Sequence, residues 1–169
     1  SDAASVAGLD PFPDWGQSPP VTRSEVTIAG NKSLQYVWAG PGGLYQGLDW
    51  SSNAVDVSAK GKLHIDFWTP DLASVKVSII STGKETAYTQ VLTTGGWNNV
   101  DIDLSNYTEP DKSAIIQIKL EPNAPGTLYV DNIYFWGTAG GVGGNCGTTA
   151  PTCAPTTITP AGSVTIYSD

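Results

Sequence analysis

Apolar residues recur at every second position along most of this chain. Leu34, Tyr36 and Trp38 alternate with Gln35 and Val37, and Leu63, Ile65 and Phe67 alternate with His64, Asp66 and Trp68. The same spacing returns in Val75, Val77 and Ile79, in Val100, Ile102 and Leu104, and in Ile116, Ile118 and Leu120. A period of two puts successive side chains on opposite faces of an extended strand. Gly43 to Trp50 reads as a further strand. Turn signals divide the runs: Gly40-Pro-Gly-Gly43, Thr69-Pro-Asp71, Ser81-Thr-Gly83, Gly95-Gly96 and Glu121-Pro-Asn-Ala-Pro-Gly126. No segment carries a convincing helical period. About eight to ten strands at this spacing predict an all-β chain folded as an antiparallel β-sandwich.

One strand breaks its own alternation. In Gly126 to Trp136, Leu128 and Val130 share one parity and Ile133 and Phe135 the other. An extra residue near Asp131-Asn132 restores a common apolar face, which is a β-bulge. Beyond it the periodicity stops. Residues 138–162 are rich in Gly, Thr and Pro and read as a linker. Residues 163–169 then resume the alternation, with Val164 and Ile166 on one face and Thr165 and Tyr167 on the other. The domain reading is therefore a sandwich over 1–137, a linker over 138–162 and a detached strand over 163–169.

Composition narrows the class. With 19 Gly, 12 Pro and no Met, the chain has the profile of a turn-rich β protein. Its 169 residues suit one domain of about 120–140 residues and a tail. The net charge of -8 argues against nucleic acid and against anionic membranes as partners, because both need a basic surface. No apolar run approaches the ~20 residues of a membrane-spanning helix. No leader peptide is visible, so the expectation is either a mature chain or an expressed piece of a longer one. The two cysteines, Cys146 and Cys153, lie in the linker without a second pair of ligands, so a local disulfide is expected rather than a metal site. That pairing points to a secreted, extracellular or cell-surface protein. Asn31-Lys-Ser and Asn106-Tyr-Thr are sequons, and the Thr/Pro-rich linker has the composition of an O-glycosylated stalk.

Several segments together carry a family likeness. Lys62-Leu-His-Ile-Asp-Phe-Trp-Thr-Pro-Asp71, Val75 to Gly83, Gly96-Trp-Asn-Asn-Val-Asp-Ile-Asp-Leu104, Ile116 to Lys119 and Leu128-Tyr-Val-Asp-Asn-Ile-Tyr-Phe135 resemble a bacterial carbohydrate-binding-type module. This is the non-catalytic β-jelly-roll type appended to secreted glycanases such as laminarinases, and the likeness covers roughly residues 1–137. Modules of that type open with a strand of the form Val-x-Ile-Tyr-Ser-Asp-Ala before a Trp-Gly-Gln segment. Here Ser1-Asp-Ala3 and Trp15-Gly-Gln17 are present, but the strand stands at the far end as Val164-Thr-Ile-Tyr-Ser-Asp169. The resemblance thus implies a jelly roll whose first strand is displaced to the C-terminus. It also implies a structural Ca²⁺, with Asp2, Asp10 and Asp131 as matching positions and Asp169 of a donated strand in place of Asp2.

These observations support a main expectation and an alternative. In the main one, the chain is a non-catalytic extracellular repeat or filament subunit. It assembles head to tail by donating Val164, Ile166 and Tyr167 to a sheet of the neighbouring copy. The alternative is a carbohydrate-binding module of a secreted polysaccharide-degrading enzyme, with polysaccharide as its partner. For that role Trp38, Trp50 and Trp68, with Tyr36, Tyr45, Gln46 and Asp66, are the candidate platform, since flat rings meet sugar C–H faces and amides or carboxylates meet hydroxyls. Trp15 and Trp97, beside turns, are expected to be structural pins. Asp101 and Asp103 share one strand face and read as solvated carboxylates rather than an acid/base pair. His64 is the only histidine and has no nucleophile at hand in the sequence, so no triad is expected.

Overall fold

The computed structural model describes residues 6–28, 30–40, 44–137 and 163–167. Among these the strands are, in chain order, β1 (Thr22–Ile28), β2 (Asn31–Trp38), β3 (Gln46–Asp49), β4 (Lys62–Trp68), β5 (Ser74–Ser81), β6 (Lys84–Val91), β7 (Trp97–Asp103), β8 (Gln117–Pro122), β9 (Gly126–Trp136) and β10 (Val164–Tyr167). One 3-10 turn, Leu104–Asn106, follows β7. Two antiparallel sheets result. The first runs β1-β2-β9-β4-β7 with β10 also on β9, and the second runs β3-β8-β5-β6. The architecture is the β-sandwich that the alternation predicts.

The core lies between the sheets. Leu34 and Tyr36 of β2, Leu63, Ile65 and Phe67 of β4, and Leu128, Val130, Ile133 and Phe135 of β9 face Leu48, Val77, Ile79, Ile118 and Leu120 of the second sheet, all fully buried. Burying each such side chain contributes roughly 1.5–3 kcal/mol relative to exposure, which is why the register of each strand is fixed. The sequence does not single out β1 and β6. Both are sheet edges with mostly exposed residues, so no buried face imposes a period on them.

The bulge falls where the parity shift requires it. His64 pairs with Tyr134 and Asp66 with Asp131, so Ile65 alone stands opposite both Asn132 and Ile133. Asn132 takes φ 47°, the left-handed region that asparagine tolerates better than most residues. The extra residue lets Val130 and Ile133 both reach the core.

The terminal strand pairs within its own chain. Val164 lies opposite Phe135, Thr165 opposite Tyr134 and Tyr167 opposite Ile133. The expectation that Val164, Ile166 and Tyr167 fill a gap in a neighbouring copy is corrected here: they fill a gap in their own first sheet. Up to Val130, β9 is flanked by β2, and from Ile133 onward β10 takes that side. Val164 sits beside the end of β9, so the chain's own strand acts at the millimolar effective concentration that a covalent link provides. A separate molecule in dilute solution cannot match that.

Candidate glycan-binding face

The face of the first sheet turned away from the core gathers aromatic, carboxylate and amide side chains. Strand pairing arranges its side chains in rows that cross the sheet. One row runs Trp97, Trp68, Tyr129, Gln35, Ser24 on β7, β4, β9, β2 and β1. A second row carries Asn99, Asp66 and Asp131. A third carries Asp101, His64, Tyr134 and Thr165, and a fourth Asp103, Lys62 and Trp136. Rows two residues apart are separated by roughly 7 Å, so the face spans about 20 Å along the strands.

Aromatic rings mark its two ends. At one end Trp68 meets Tyr129 edge to face at 5.3 Å, and Trp97 stands beside Trp68 on the next strand. These rings are half-buried, so each keeps a solvent-facing surface. The Gln35 amide donates to the Tyr129 hydroxyl at 2.8 Å, and Ser24 donates to Gln35 at 3.2 Å. At the other end Tyr134 stacks on His64 at 4.6 Å, 18° from parallel. The Trp136 indole N–H donates to Asp101 at 2.9 Å.

Between the ends lies a hydrogen-bonded polar network. Asp66 is 2% exposed despite facing outward. Its two oxygens accept from the Asn99 amide and, at 2.8 Å, from the Asn132 amide. Asn132 reaches Asp66 from the bulge, at its unusual backbone angle. The His64 ring lies between two carboxylates, with Nδ1 at 2.9 Å from Asp101 and Nε2 at 3.2 Å from Asp66. Burial disfavours the charged ring, but the hydrogen bonds to Asp101 and Asp66 outweigh it and push the imidazolium up to about 9. At neutral pH both ring nitrogens therefore donate. Asp101 is held below the usual carboxylate range: its partial burial works against this, but the His64 and Trp136 hydrogen bonds prevail. Asp131 accepts from the Asn31 amide and from the Asn132 backbone N–H.

The residues expected to form the platform separate in the structure. Trp38, Trp50, Tyr36 and Gln46 are core residues, at 2% exposure or less, and this corrects their assignment to a sugar-binding surface. Trp50 donates its indole N–H to the Ile115 carbonyl at 2.8 Å, and Gln46 donates to the Pro13 carbonyl at 3.0 Å. Tyr36 donates its hydroxyl to the Pro11 carbonyl at 2.8 Å. Tyr45 lies elsewhere, packed on Trp15 at 6.1 Å with Lys119 over its ring at 5.6 Å, so Trp15 does pin the entry segment. Only Trp68 and Asp66 of the expected set stand on the outer face of the first sheet. Trp97, expected as a pin, joins them there. Tyr129, Tyr134, Trp136 and Gln35 were not singled out from the sequence. The available signal was an aromatic ring on the polar phase of a strand.

Other expectations resolve individually. Asp103 pairs with Lys62 at 3.1 Å, a partly exposed contact. Asp10 accepts from the backbone N–H of Phe12 and caps its own turn. Among the described residues, no three His, Cys, Asp or Glu side chains gather as metal ligands. Asp2 and Asp169, the other expected Ca²⁺ ligands, lie outside the described residues, as do Cys146 and Cys153 and the linker. Asn106 is exposed on the 3-10 turn, its amide donating to the Asp103 carbonyl at 3.1 Å, whereas Asn31 is half-buried with its amide held by the Asp131 carboxylate. No helix among the described residues is long and apolar enough to cross a membrane.

The sandwich has the jelly-roll fold that solved carbohydrate-binding modules also show. Solved structures with this fold include a family 11 carbohydrate-binding module from Clostridium thermocellum in complex with a β-1,3-1,4-mixed-linked tetrasaccharide. It has 19% identity and a TM-score of 0.59, over 82% of this chain and 94% of that one. A family 11 module of a cellulosomal cellulase from Clostridium thermocellum matches at 18% identity and TM-score 0.60, over 82% of this chain and 92% of that one. A non-crystalline cellulose specific module of family 28 matches at 14% identity and TM-score 0.55, over 81% and 97%. At such identities the likeness establishes the fold. No family model and no curated protein matches the sequence.

Proposed function

We propose that this chain is a non-catalytic module that binds a neutral polysaccharide on the outer face of its first sheet. The observation that carries this reading is the Trp97–Trp68–Tyr129 row, with half-buried rings on the polar phase of three adjacent strands. Rings in that position have no packing partner across the sandwich, and they offer apolar faces to sugar C–H groups. Asp66, Asp101 and Asp103 outnumber Lys62 and the protonated His64 on the same face, and the whole chain carries -8. Uronic or sulfated glycans would be repelled, so a neutral glycan chain is the ligand class. The neighbours fit this, since one was solved with a β-1,3-1,4-mixed-linked tetrasaccharide and another is named for cellulose. We place the module outside the cell, in keeping with the expected Cys146–Cys153 disulfide.

The test is affinity electrophoresis through gels containing mixed-linkage β-1,3-1,4-glucan, laminarin or alginate. Retardation is expected in at least one neutral glucan and not in alginate. Trp68→Ala is expected to weaken it about tenfold, equivalent to ~1.4 kcal/mol. Free migration of the wild type in every neutral glucan, or unchanged retardation of Trp68→Ala, would overturn the reading.

A further inference from the structure

The strand β10 occupies a socket with two unusual properties. First, the socket lies in line with β2, on the same side of β9. β2 covers Gly126 to Val130 and β10 covers Ile133 to Phe135, and both run antiparallel to β9. The end of β10 therefore points at the start of β2, and no residue of β2 reaches the Ile133–Phe135 edge. An unfilled socket leaves that edge of β9 unpaired, which is a template for any strand of fitting pattern. Second, its fit is specific. Ile166 is 0% exposed and Tyr167 6%, both built into the common core, and Thr165 beside Tyr134 is 9% exposed.

The connection does not require that the occupant come from the same molecule. Val164 lies opposite Phe135, one residue from the end of β9. Adjacent antiparallel strands are joined by two to five residues in ordinary hairpins. Here residues 138–162 intervene, about 25 residues with a contour length of up to roughly 80–90 Å. That length exceeds what self-closure needs and is enough to reach a second molecule. We propose that the socket also accepts β10 of a second copy of this chain, by strand exchange. The contacts made are the same in either case; only the path of residues 138–162 differs. Reciprocal exchange closes a dimer, and one-way exchange continues head to tail. Since the intramolecular strand acts at a millimolar effective concentration, exchange is favoured when chains fold at that concentration or higher.

The test is refolding of the full chain from denaturant at micromolar and at millimolar concentration, followed by size-exclusion chromatography with light scattering. Monomer is expected from the dilute sample, and dimers and longer species from the concentrated one, persisting after dilution. Ile166→Asp is expected to give no such species. Monomer alone after concentrated refolding overturns the proposal. Because Ile166→Asp also threatens folding, a second measurement uses the full chain with a protease site placed within residues 138–162. After cleavage, native mass spectrometry follows replacement of the bound strand by a mass-tagged synthetic peptide of residues 163–169. Replacement at one peptide per chain is expected, and no uptake of the tagged peptide overturns the proposal.

Discussion

Replacing His64 with glutamine tests whether the outer-face network is electrostatic. In the folded chain the imidazolium is held by Asp101 at 2.9 Å and Asp66 at 3.2 Å, and its ionisation moves from 6.5 to about 9. Every tenfold gain in proton affinity corresponds to roughly 1.4 kcal/mol, which sets a ceiling of about 3 kcal/mol. Asp101 is about a third exposed, so solvent screening brings the expected value to roughly 1–3 kcal/mol. The direction with pH follows from linkage. The folded state binds the proton more tightly than the unfolded state, so the contribution is complete below about 6.5. It declines as pH rises and is gone above about 9. Urea unfolding followed by tryptophan fluorescence at pH 6, 7.5 and 10 measures it. The difference between wild type and His64→Gln isolates this group, because the other titrations are shared by both proteins. With a urea dependence of roughly 1–3 kcal/mol per molar, the wild-type midpoint should exceed that of the variant by about 1 M at pH 6 and converge toward it at pH 10. A difference that is flat across this range, or that grows with pH, would refute the reasoning.

Two further outcomes are expected. Trp50→Ala should cost about 3–5 kcal/mol in chemical denaturation, since it empties a fully buried site and removes one of the two donors, the indole N–H and the Val55 backbone N–H, to the Ile115 carbonyl. Glucan retardation per folded molecule should be unchanged, in contrast to Trp68→Ala. When the chain is secreted from a host that glycosylates sequons, glycopeptide mass spectrometry should find Asn106 modified and Asn31 bare, because Asn31 is half-buried with its amide on the buried Asp131 carboxylate, while Asn106 is exposed and its amide donates only to the Asp103 carbonyl in the same turn.

Much of the fold was legible because burial imposes a period. Leu63, Ile65 and Phe67 had to share a face, and the parity shift between Val130 and Ile133 had to be absorbed, so the bulge at Asp131-Asn132 followed from the pattern alone. The same rule placed Tyr36 and Trp38 in phase with Leu34, which is why they are core, and it placed Trp68 on the opposite phase. Residue type is a weaker guide than phase: an aromatic ring suits a core and a sugar equally well, so choosing Trp38 and Trp50 for the platform by type went wrong.

The sequence by itself determined the strands that bury a face, which way most of their side chains point, and the kink in β9. Local alternation is enough for each of these. The edge strands β1 and β6 and the register shift between Thr165 and Tyr167 in β10 were not in that pattern. Only the tertiary structure decided that β4 lies between β7 and β9, so that Trp97, Trp68 and Tyr129 form one row and His64 falls between Asp66 and Asp101. It also decided that β10 joins β9 of its own chain. A period tells which way a side chain points, but strand neighbours are chosen by the global fit of two sheets around one core, and that choice has no local signature.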